Sequence, residues 1–525
     1  MDYDIEDIEI SEESKVVDVS PEVQIVIFGK DGDVSANAAE VEVEENLIIP
    51  EQHKLWILTF GCSHNFADGE YMRVKIWSFR GLLSDYGYPF VDDRMNAELW
   101  SLILNSCTVK DPSEMAFRNY VTEAQNNGKK LVVAGCVPQA DSTAQWIRDL
   151  SILGVKQIHR ILEVVEETLK GNKIQLLSLK GLPPLDLPKV RRDPFIEIVP
   201  ISEGCLGHCT YCKTRFARGK LMSYPIDSIR SRIQEAKRDG VYEIWLTSED
   251  TGAYGIDKGQ TIVDLLKVVS ECVSGDGGDG SMIRLGMTNP PYILQHLDAI
   301  ATFLRQPNVF SFIHIPVQSG SDHVLKAMQR QYTVENFVTI VDALLEAVPG
   351  LTIATDIIVG FGEETKEDHE ATMHLLQKYE FAIVNISKFF PRPGTPAARM
   401  PHVPSTVVKP RSTELSLWFK SIRPYDRFLR TIQMVWVGSE RNGSQMVGHT
   451  KAYVKVLLPL EEGLQGTRVL VRIVETSRFH IVGEVVDRHP APLEGFLSPE
   501  EIAEKVAEEM RKSGRGDEEG GEKME

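Results

Sequence analysis

The sequence predicts an α/β protein made of an N-terminal parallel-sheet domain, an incomplete (β/α)6 barrel and a small C-terminal β-barrel. Three observations carry that expectation. Short apolar runs alternate with helical patterns over 54–180, which is how parallel βαβ units read. Six strands separated by five helical segments follow between 195 and 390, with a spacing near the thirty-odd residues a βαβ unit needs. From 434 onward, short strands are punctuated by glycines at 443, 448, 463, 466 and 483, the pattern of a small closed barrel of the oligonucleotide-binding kind.

Taken in order, residues 1–53 are an acidic extension, with 1–20 expected to be structureless and a short strand at 23–28. The N-terminal domain occupies 54–180. Its apolar runs at 55–60, 99–104 and 131–134 each stop at a cysteine: Cys62, Cys107 and Cys136. A helix begins at Asp111, with Pro112 in its first turn and Glu114 placed for a capping box, and ends near Gly128. Residues 181–194 form a proline-rich basic linker. The barrel domain spans 195–430. Its expected strands lie at 195–201, 241–247, 282–287, 310–317, 351–358 and 382–390, with helices at 225–238, 262–272, 292–304, 334–347 and 366–378. The C-terminal barrel covers 431–488. A charged tail, 489–525, includes a short helix at 498–512.

The net charge of −19 argues at first against a nucleic-acid partner, but its distribution does not. Residues 1–50 carry −13 and 501–525 carry −4, which leaves the body at −2. A nearly neutral body has room for a basic groove, so RNA remains admissible. No run of eighteen apolar residues and no secretory leader is present, so no membrane segment is expected. Seven cysteines, an odd number gathered at loops, suit a reducing compartment and metal binding, hence a cytoplasmic location.

Cysteine placement is the strongest chemical signal. Cys205, Cys209 and Cys212 follow the first barrel strand with C-x3-C-x2-C spacing. Three thiolates suit a soft metal centre but fall one short of the four that an ordinary iron–sulfur cluster takes. A [4Fe–4S] cube on three cysteines keeps one iron open. The competing reading is a zinc knuckle with His208 as fourth ligand. Cys62, Cys107 and Cys136 form a second triple at equivalent strand ends, the edge where parallel sheets bind ligands. Cys272, in a helical pattern away from any strand end, reads as structural.

The C-x3-C-x2-C loop, with Tyr211 before its last cysteine, resembles the radical S-adenosylmethionine (SAM) signature. With both triples in place, residues 54–488 resemble the methylthiotransferases. Motifs carrying this are Thr59-Phe60-Gly61-Cys62-Ser63-His64-Asn65, Leu104-Asn105-Ser106-Cys107-Thr108, Ala134-Gly135-Cys136-Val137-Pro138-Gln139, Ile315-Pro316-Val317-Gln318-Ser319-Gly320 and Pro391-Arg392-Pro393-Gly394-Thr395-Pro396. Trp245-Leu246-Thr247-Ser248-Glu249-Asp250-Thr251-Gly252-Ala253-Tyr254-Gly255 and Leu285-Gly286-Met287-Thr288-Asn289-Pro290-Pro291-Tyr292 resemble the archaeal and eukaryotic branch acting on N6-threonylcarbamoyladenosine in tRNA. The chain departs from the family at Gly360-Phe361-Gly362-Glu363-Glu364-Thr365, where a Gly-Phe-Pro-Gly-Glu-Thr stretch is usual. It also ends in a polar acidic tail, where animal members often carry an apolar anchor.

The resemblance implies a radical SAM barrel, a C-terminal TRAM domain, two [4Fe–4S] clusters and SAM in two roles, radical source and methyl donor. Cys205, Cys209 and Cys212 would hold the radical SAM cluster, and Cys62, Cys107 and Cys136 the auxiliary one. Glu249, Asp250, Gln318, Ser319 and Arg218 are candidate SAM contacts; ordinary loop hydrogen bonding, or a surface salt bridge for Arg218, is the alternative for each. His64 reads as a polar loop residue and His314 as a pocket or core residue. The implied reaction inserts a methylthio group at C2 of the adenine beside the anticodon. C2 is unactivated, so side-chain acid–base chemistry does not suffice. The partners are the tRNA anticodon stem-loop, gripped by the β-barrel and its basic residues, and an electron donor of unknown identity. The alternatives are a methylthiotransferase for isopentenyladenosine or a ribosomal protein, a non-catalytic iron–sulfur RNA-binding regulator, and a zinc-bound structural protein.

Overall fold

The structure is a computed structural model that describes residues 53–72, 111–273 and 280–488, with the two-residue strands at 17–18, 24–25 and 99–100. Cys107, most of the acidic extension and the whole 489–525 tail, including the expected 498–512 helix, lie outside the described residues. Within the extension β1 (Val17–Asp18) pairs antiparallel with β2 (Gln24–Ile25), so part of a segment expected to be structureless is paired.

The N-terminal domain is a parallel sheet of β3 (Leu99–Trp100), β4 (Lys130–Ala134), β5 (Ser151–Leu153) and β6 (Gln175–Leu176), in that order. The period-2 alternation of β4 explains its double cover. Leu131 and Val133 pack with Phe117, Val121 and Ala124 of the helix Asp111–Asn126. Val132 and Ala134 pack with Ile161, Val164 and Val165 of the helix Ile161–Lys170. The run 55–60, expected as a strand, has bridge positions only at Leu55 and Thr59. It is held by side chains: Leu55 and Ile57 join one core, while Trp56, Leu58 and Phe60 pack on the other.

The central domain holds β7 (Ile196–Pro200), the hairpin strands β8 (Ser202–Glu203) and β9 (Met222–Ser223), then β10 (Glu243–Thr247), β11 (Met282–Leu285), β12 (Phe312–His314), β13 (Thr352–Val359) and β14 (Ile383–Lys388). Parallel pairing joins β7, β10 and β11, and separately β12, β13 and β14. An Ile283–Val309 bridge connects the two groups. All six expected strand sites are occupied, in chain order. Outward residues such as Val199, Ile244, Leu246, Ile283, Ile313, Ile353 and Ile357 pack under the helices. Inward ones, including Ile198, Trp245, Arg284, His314, Asp356 and Asn385, line a cavity.

Two helical expectations are corrected. The helix at 292–304 is two pieces, Pro290–Ile293 and Leu297–Arg305. A helix at Ser405–Ser421 was not expected: Pro410 lies inside it, and only Val408 and Leu415 are buried, so its apolar periodicity is faint.

The 181–194 segment is a strap rather than a loose basic tether. Lys189 Nζ lies 2.8 Å from Glu197 and 3.1 Å from Glu70, while Arg191 pairs with Glu197 at 2.6 Å and with Asp239 at 2.8 Å. Arg232 reaches Glu197 at 3.0 Å. Burial alone would raise the Glu197 pKa, but Lys189, Arg232 and Arg191 hold it down at about 2. These ions span both domains, because Glu70 belongs to the N-terminal helix Ser63–Met72.

At the C-terminus β15 (Ile432–Asn442), β16 (Gln445–Thr450), β17 (Lys455–Pro459), β18 (Thr467–Thr476) and β19 (Ile481–Asp487) close into a barrel in the order β15-β16-β17-β19-β18. It packs on the amino ends of the central strands. Met434, Trp436 and Leu470 meet Met282, Phe310, Phe312 and Ala354. Its basic residues are not all outward. Lys451 Nζ is buried and donates to the carbonyls of Leu304 and Val309 and to Ser311 Oγ. Arg478 donates to the carbonyls of Phe419 and Ala382. Both fasten the two domains together and are withdrawn from any RNA-binding face. Among the described residues no helix is long and apolar enough to cross a membrane.

Candidate active site

The inward strand faces enclose a cavity of about 1580 Å³. Cys62 and Cys136 of the N-terminal domain line it together with Cys205, Cys209 and Cys212 of the central domain. No disulfide joins any of these five.

The cysteine loop is shaped by its neck and its anchor. β8 and β9 pair antiparallel and pinch the neck, reinforced by Cys205 N–H donating to the Gly219 carbonyl at 3.1 Å. Gly204 there has φ 76°, and a Cβ on it would stand 2.3 Å from the Lys220 carbonyl oxygen. Only glycine fits. At the far side Thr210 N–H donates to the Met328 carbonyl, and its carbonyl accepts from Ala397. Tyr211 meets Phe361 edge-on, with centroids 5.8 Å apart, in a pocket with Val324 and Met328. Tyr211 is thus an anchor for the loop.

The donor set fits a thiolate cluster. Each of the three sulfurs faces a hydrogen-bond donor: Gly207 N–H to Cys205 Sγ at 3.2 Å, Arg330 Nη1 to Cys209 Sγ at 3.2 Å, and Thr214 N–H to Cys212 Sγ at 3.3 Å. Gly207 leaves a cradle between two of them, since a Cβ there would sit 3.4 and 3.7 Å from Cys205 and Cys209 Sγ. Burial pushes the Cys205 thiol up to about 12, with the Asp250 charge adding to it. A cation among these sulfurs would reverse that balance, because coordination deprotonates a thiol. His208, the fourth ligand of the zinc reading, is engaged with Arg215 instead.

Arg218 is the polar hub. The sequence left a surface salt bridge open; the side chain is 1% exposed. Its Nε lies 3.3 Å from Cys136 Sγ and 3.0 Å from Glu249, Nη1 2.8 Å from Glu203, and Nη2 2.6 Å from Asp68 and 2.7 Å from Asn65. His64 completes the group at 2.6 Å from Glu203. His64 is buried on the helix Ser63–Met72, not on a loop. Burial and Arg218 would lower its pKa, but Glu203 and Glu249 raise it to about 9. Burial alone would raise Glu203, yet Arg218 and His64 hold it at about 2.

The other candidate SAM contacts divide. Glu249 and Asp250 line the cavity at the end of β10. Burial pushes Glu249 up to about 7 and Asp250 to about 6, the latter offset by bonds from Asn289. Glu249 Oε2 is buried without a partner, whereas Asp250 accepts from Asn289 Nδ2 at 2.7 Å. Gln318 lines the cavity with φ 69°, a strained backbone for a residue that is not glycine. Ser319 is buried away from the cavity, where its hydroxyl pairs with Thr372 at 3.3 Å and accepts from Ser321 N–H.

Arg330 went unnoticed in the sequence. It sits beyond the Ser319-Gly320-Ser321 turn with no flanking motif, and only the fold turns it back onto Cys209, Asn289 and Tyr332. His314 is a cavity residue: its Nε2 is 2.9 Å from Asp356, which also accepts from Asn385 at 2.8 Å. In the 360–365 loop, Glu364 accepts from Gly360 N–H at 2.9 Å and pairs with Arg411 at 2.7 Å, so the loop is closed from within. Cys272 packs against the helical side of the main core.

Two family models match the chain: the Radical SAM superfamily over residues 199–376 and Uncharacterized protein family UPF0004 over residues 54–150. Similar proteins include a threonylcarbamoyladenosine tRNA methylthiotransferase of Danio rerio, 47% identical, with the match covering 86% of this chain and 81% of the relative. One of the same name from Homo sapiens is 46% identical over 92% of this chain and 83% of its own length. A probable threonylcarbamoyladenosine tRNA methylthiotransferase of Pyrococcus horikoshii is 36% identical, covering 82% and 99%.

Proposed function

The chain belongs to the threonylcarbamoyladenosine tRNA methylthiotransferase family, and on that premise we propose that it converts N6-threonylcarbamoyladenosine at tRNA position 37, beside the anticodon, to its 2-methylthio derivative. The observation that supports this best is the meeting of Cys62 and Cys136 with Cys205, Cys209 and Cys212 on one cavity. When bound, two [4Fe–4S] clusters and SAM supply the carbon radical, the sulfur site and the methyl group.

The chain's own residues do the holding. Cys205, Cys209 and Cys212 hold the radical SAM cluster; Cys62, Cys136 and Cys107 hold the auxiliary one. Arg330 and the N–H groups of Gly207 and Thr214 stabilise the first set of sulfurs as thiolates. Arg218 does the same for Cys136 while tying it to the cysteine loop. Glu249, Asp250 and Gln318 orient SAM, and Ser319 supports that turn from behind. The β-barrel closes the floor, so the adenine enters from the strands' carboxyl edge and water is excluded below.

Around this core we assign 54–180 as the auxiliary-cluster domain, 195–430 as a partial (β/α)6 radical SAM barrel and 431–488 as a TRAM domain. The outward cations of that domain, Arg441 and Arg472, grip the anticodon stem-loop through phosphates. The enzyme works in the cytoplasm with a one-electron donor.

Nucleoside mass spectrometry of tRNA from a deletion strain tests the reading. The methylthio form should disappear and return with the native gene, but not with Cys62→Ala or Cys205→Ala forms. Unchanged 2-methylthio-threonylcarbamoyladenosine in the deletion strain, or loss of an isopentenyladenosine derivative instead, overturns it. Full rescue by either cysteine form defeats the cluster assignment.

A further inference from the structure

The residues assigned so far occupy the upper layer of the cavity and leave its floor without a role. Arg284 on β11 lines that floor. Its guanidinium lies over three rings at once: Trp245 at 4.8 Å, Phe312 at 5.0 Å and Tyr453 at 4.8 Å. Ring quadrupoles attract a cation but carry no compensating charge. Among the described residues no carboxylate forms a direct ion pair with Arg284, although it interacts with the Glu243 charge, and its Nε is buried without a hydrogen-bond acceptor. Glu243, facing it from β10, engages the Trp245 indole at 2.9 Å instead. On the far side of Tyr453 lies His449, stacked at 4.3 Å; burial, with the Arg284 charge adding to it, holds that ring neutral.

An unpaired guanidinium in a half-buried box is an unfavourable resting arrangement. Its planar fork matches a carboxylate, and the aromatic walls fix its direction. Arg284 pairs in register with Trp245, near the middle of β10, whereas Asp250 beyond the end of β10 bonds Asn289, so Arg284 lies lower in the cavity than Glu249 and Asp250. Polar groups line the way down: His314, Asp356 and Asn385 form one hydrogen-bonded wall facing the cavity.

We propose that Arg284 receives the carboxylate of the threonylcarbamoyl substituent and determines specificity for that nucleoside. This rests on the function proposed above. The N6 substituent ends in a carboxylate and carries amide and hydroxyl groups along its length. With C2 of the adenine held at the cysteine layer, the substituent points to the floor, its amides along the His314–Asp356–Asn385 wall. An apolar isopentenyl group would leave the guanidinium and that wall unpaired, which is a strong basis for rejection.

The test is equilibrium binding of reconstituted holoenzyme, without reductant, to two labelled anticodon stem-loop RNAs. One carries threonylcarbamoyladenosine. The other carries its carboxamide analogue, altered only at the carboxylate. The native protein should prefer the carboxylate RNA by roughly ten- to hundredfold, the range for a charged hydrogen-bonded pair. Arg284→Gln should weaken only the carboxylate RNA and erase the preference; Arg284→Lys should restore part of it. Equal affinities in the native protein overturn the assignment, and this arm needs no variant to fold. Equal weakening of both RNAs by Arg284→Gln also overturns it and identifies a backbone phosphate as the anion. Adding reductant separates the two readings: methylthio product on both RNAs with equal affinity defeats the subsite alone, while no product on the carboxylate RNA defeats the function.

Discussion

Arg218 Nε lies 3.3 Å from Cys136 Sγ, so a guanidinium from the barrel's cysteine loop touches a cysteine that follows a strand of a different domain. The same side chain bonds Glu203 of its own domain and Asp68 of the other. The two cysteine sets are therefore registered by a buried ion network as well as by apolar packing.

Replacing Arg218 with methionine should expose how much that network contributes. Glu203 and Asp68 would be left buried without their counter-ion, a loss of about 3–5 kcal/mol. The urea midpoint should fall accordingly, and Arg218→Lys should recover only part, since one ammonium cannot span five partners. An unchanged midpoint for Arg218→Met would show that the network does not hold the domains.

Iron content distinguishes the two cysteine sets. Reconstituted native protein should bind about eight irons, two four-iron clusters. Cys205→Ala and Cys136→Ala should each retain about four, and the double variant close to none. Stoichiometric zinc in the native protein, or a single substitution that abolishes all iron, would contradict separate sites.

Gly204→Ala is a sharper probe of the cysteine loop. The substitution puts a Cβ at φ 76° and 2.3 Å from the Lys220 carbonyl oxygen. The neck between β8 and β9 must open, so iron bound after reconstitution should fall toward that of Cys205→Ala. The auxiliary domain should keep its share. Native iron content in Gly204→Ala would mean that the neck does not shape the site.

Lys451 should give the domain junction a pH signature. Burial lowers its pKa from 10.5 to about 7. Between those values the unfolded chain binds a proton that the folded one does not, so stability rises with pH across that window and falls as pH drops toward 7. Each pH unit changes it by up to ~1.4 kcal/mol. From pH 7.5 to 9 the native protein should therefore gain about 2 kcal/mol relative to Lys451→Met. Urea unfolding of both at the two pH values measures this; parallel responses would refute it.

Much of this was legible in the sequence because period and punctuation are local. The six central strands, the five-stranded barrel and the cysteine loop all announce themselves through short apolar runs broken by polar turns, glycines or cysteines. The helix Ser405–Ser421 did not, because Pro410 interrupts a segment with only two buried positions. Cations were the hardest to place. Lys451 and Arg478 belong to the barrel's basic complement, expected as a group to grip RNA, and are buried at the domain junction; Arg218 read equally as a surface residue and is a buried hub. Arg284 and Arg330 carried no signal. Which partner meets a charged side chain is decided by the fold, not by its neighbours in the chain.

The floor of the central barrel has a consequence for synthesis. Phe310 and Phe312 are emerging from the ribosome well before Met434, Trp436 and Leu470, which cover them in the finished molecule. Chains grow from the amino end, and uncovered apolar surface on a half-made domain invites aggregation. A nascent chain that stalls after the sixth strand would carry both cysteine sets and yet present an open aromatic base. Premature termination between the sixth strand and Leu470 should thus yield insoluble protein rather than a trimmed, working core.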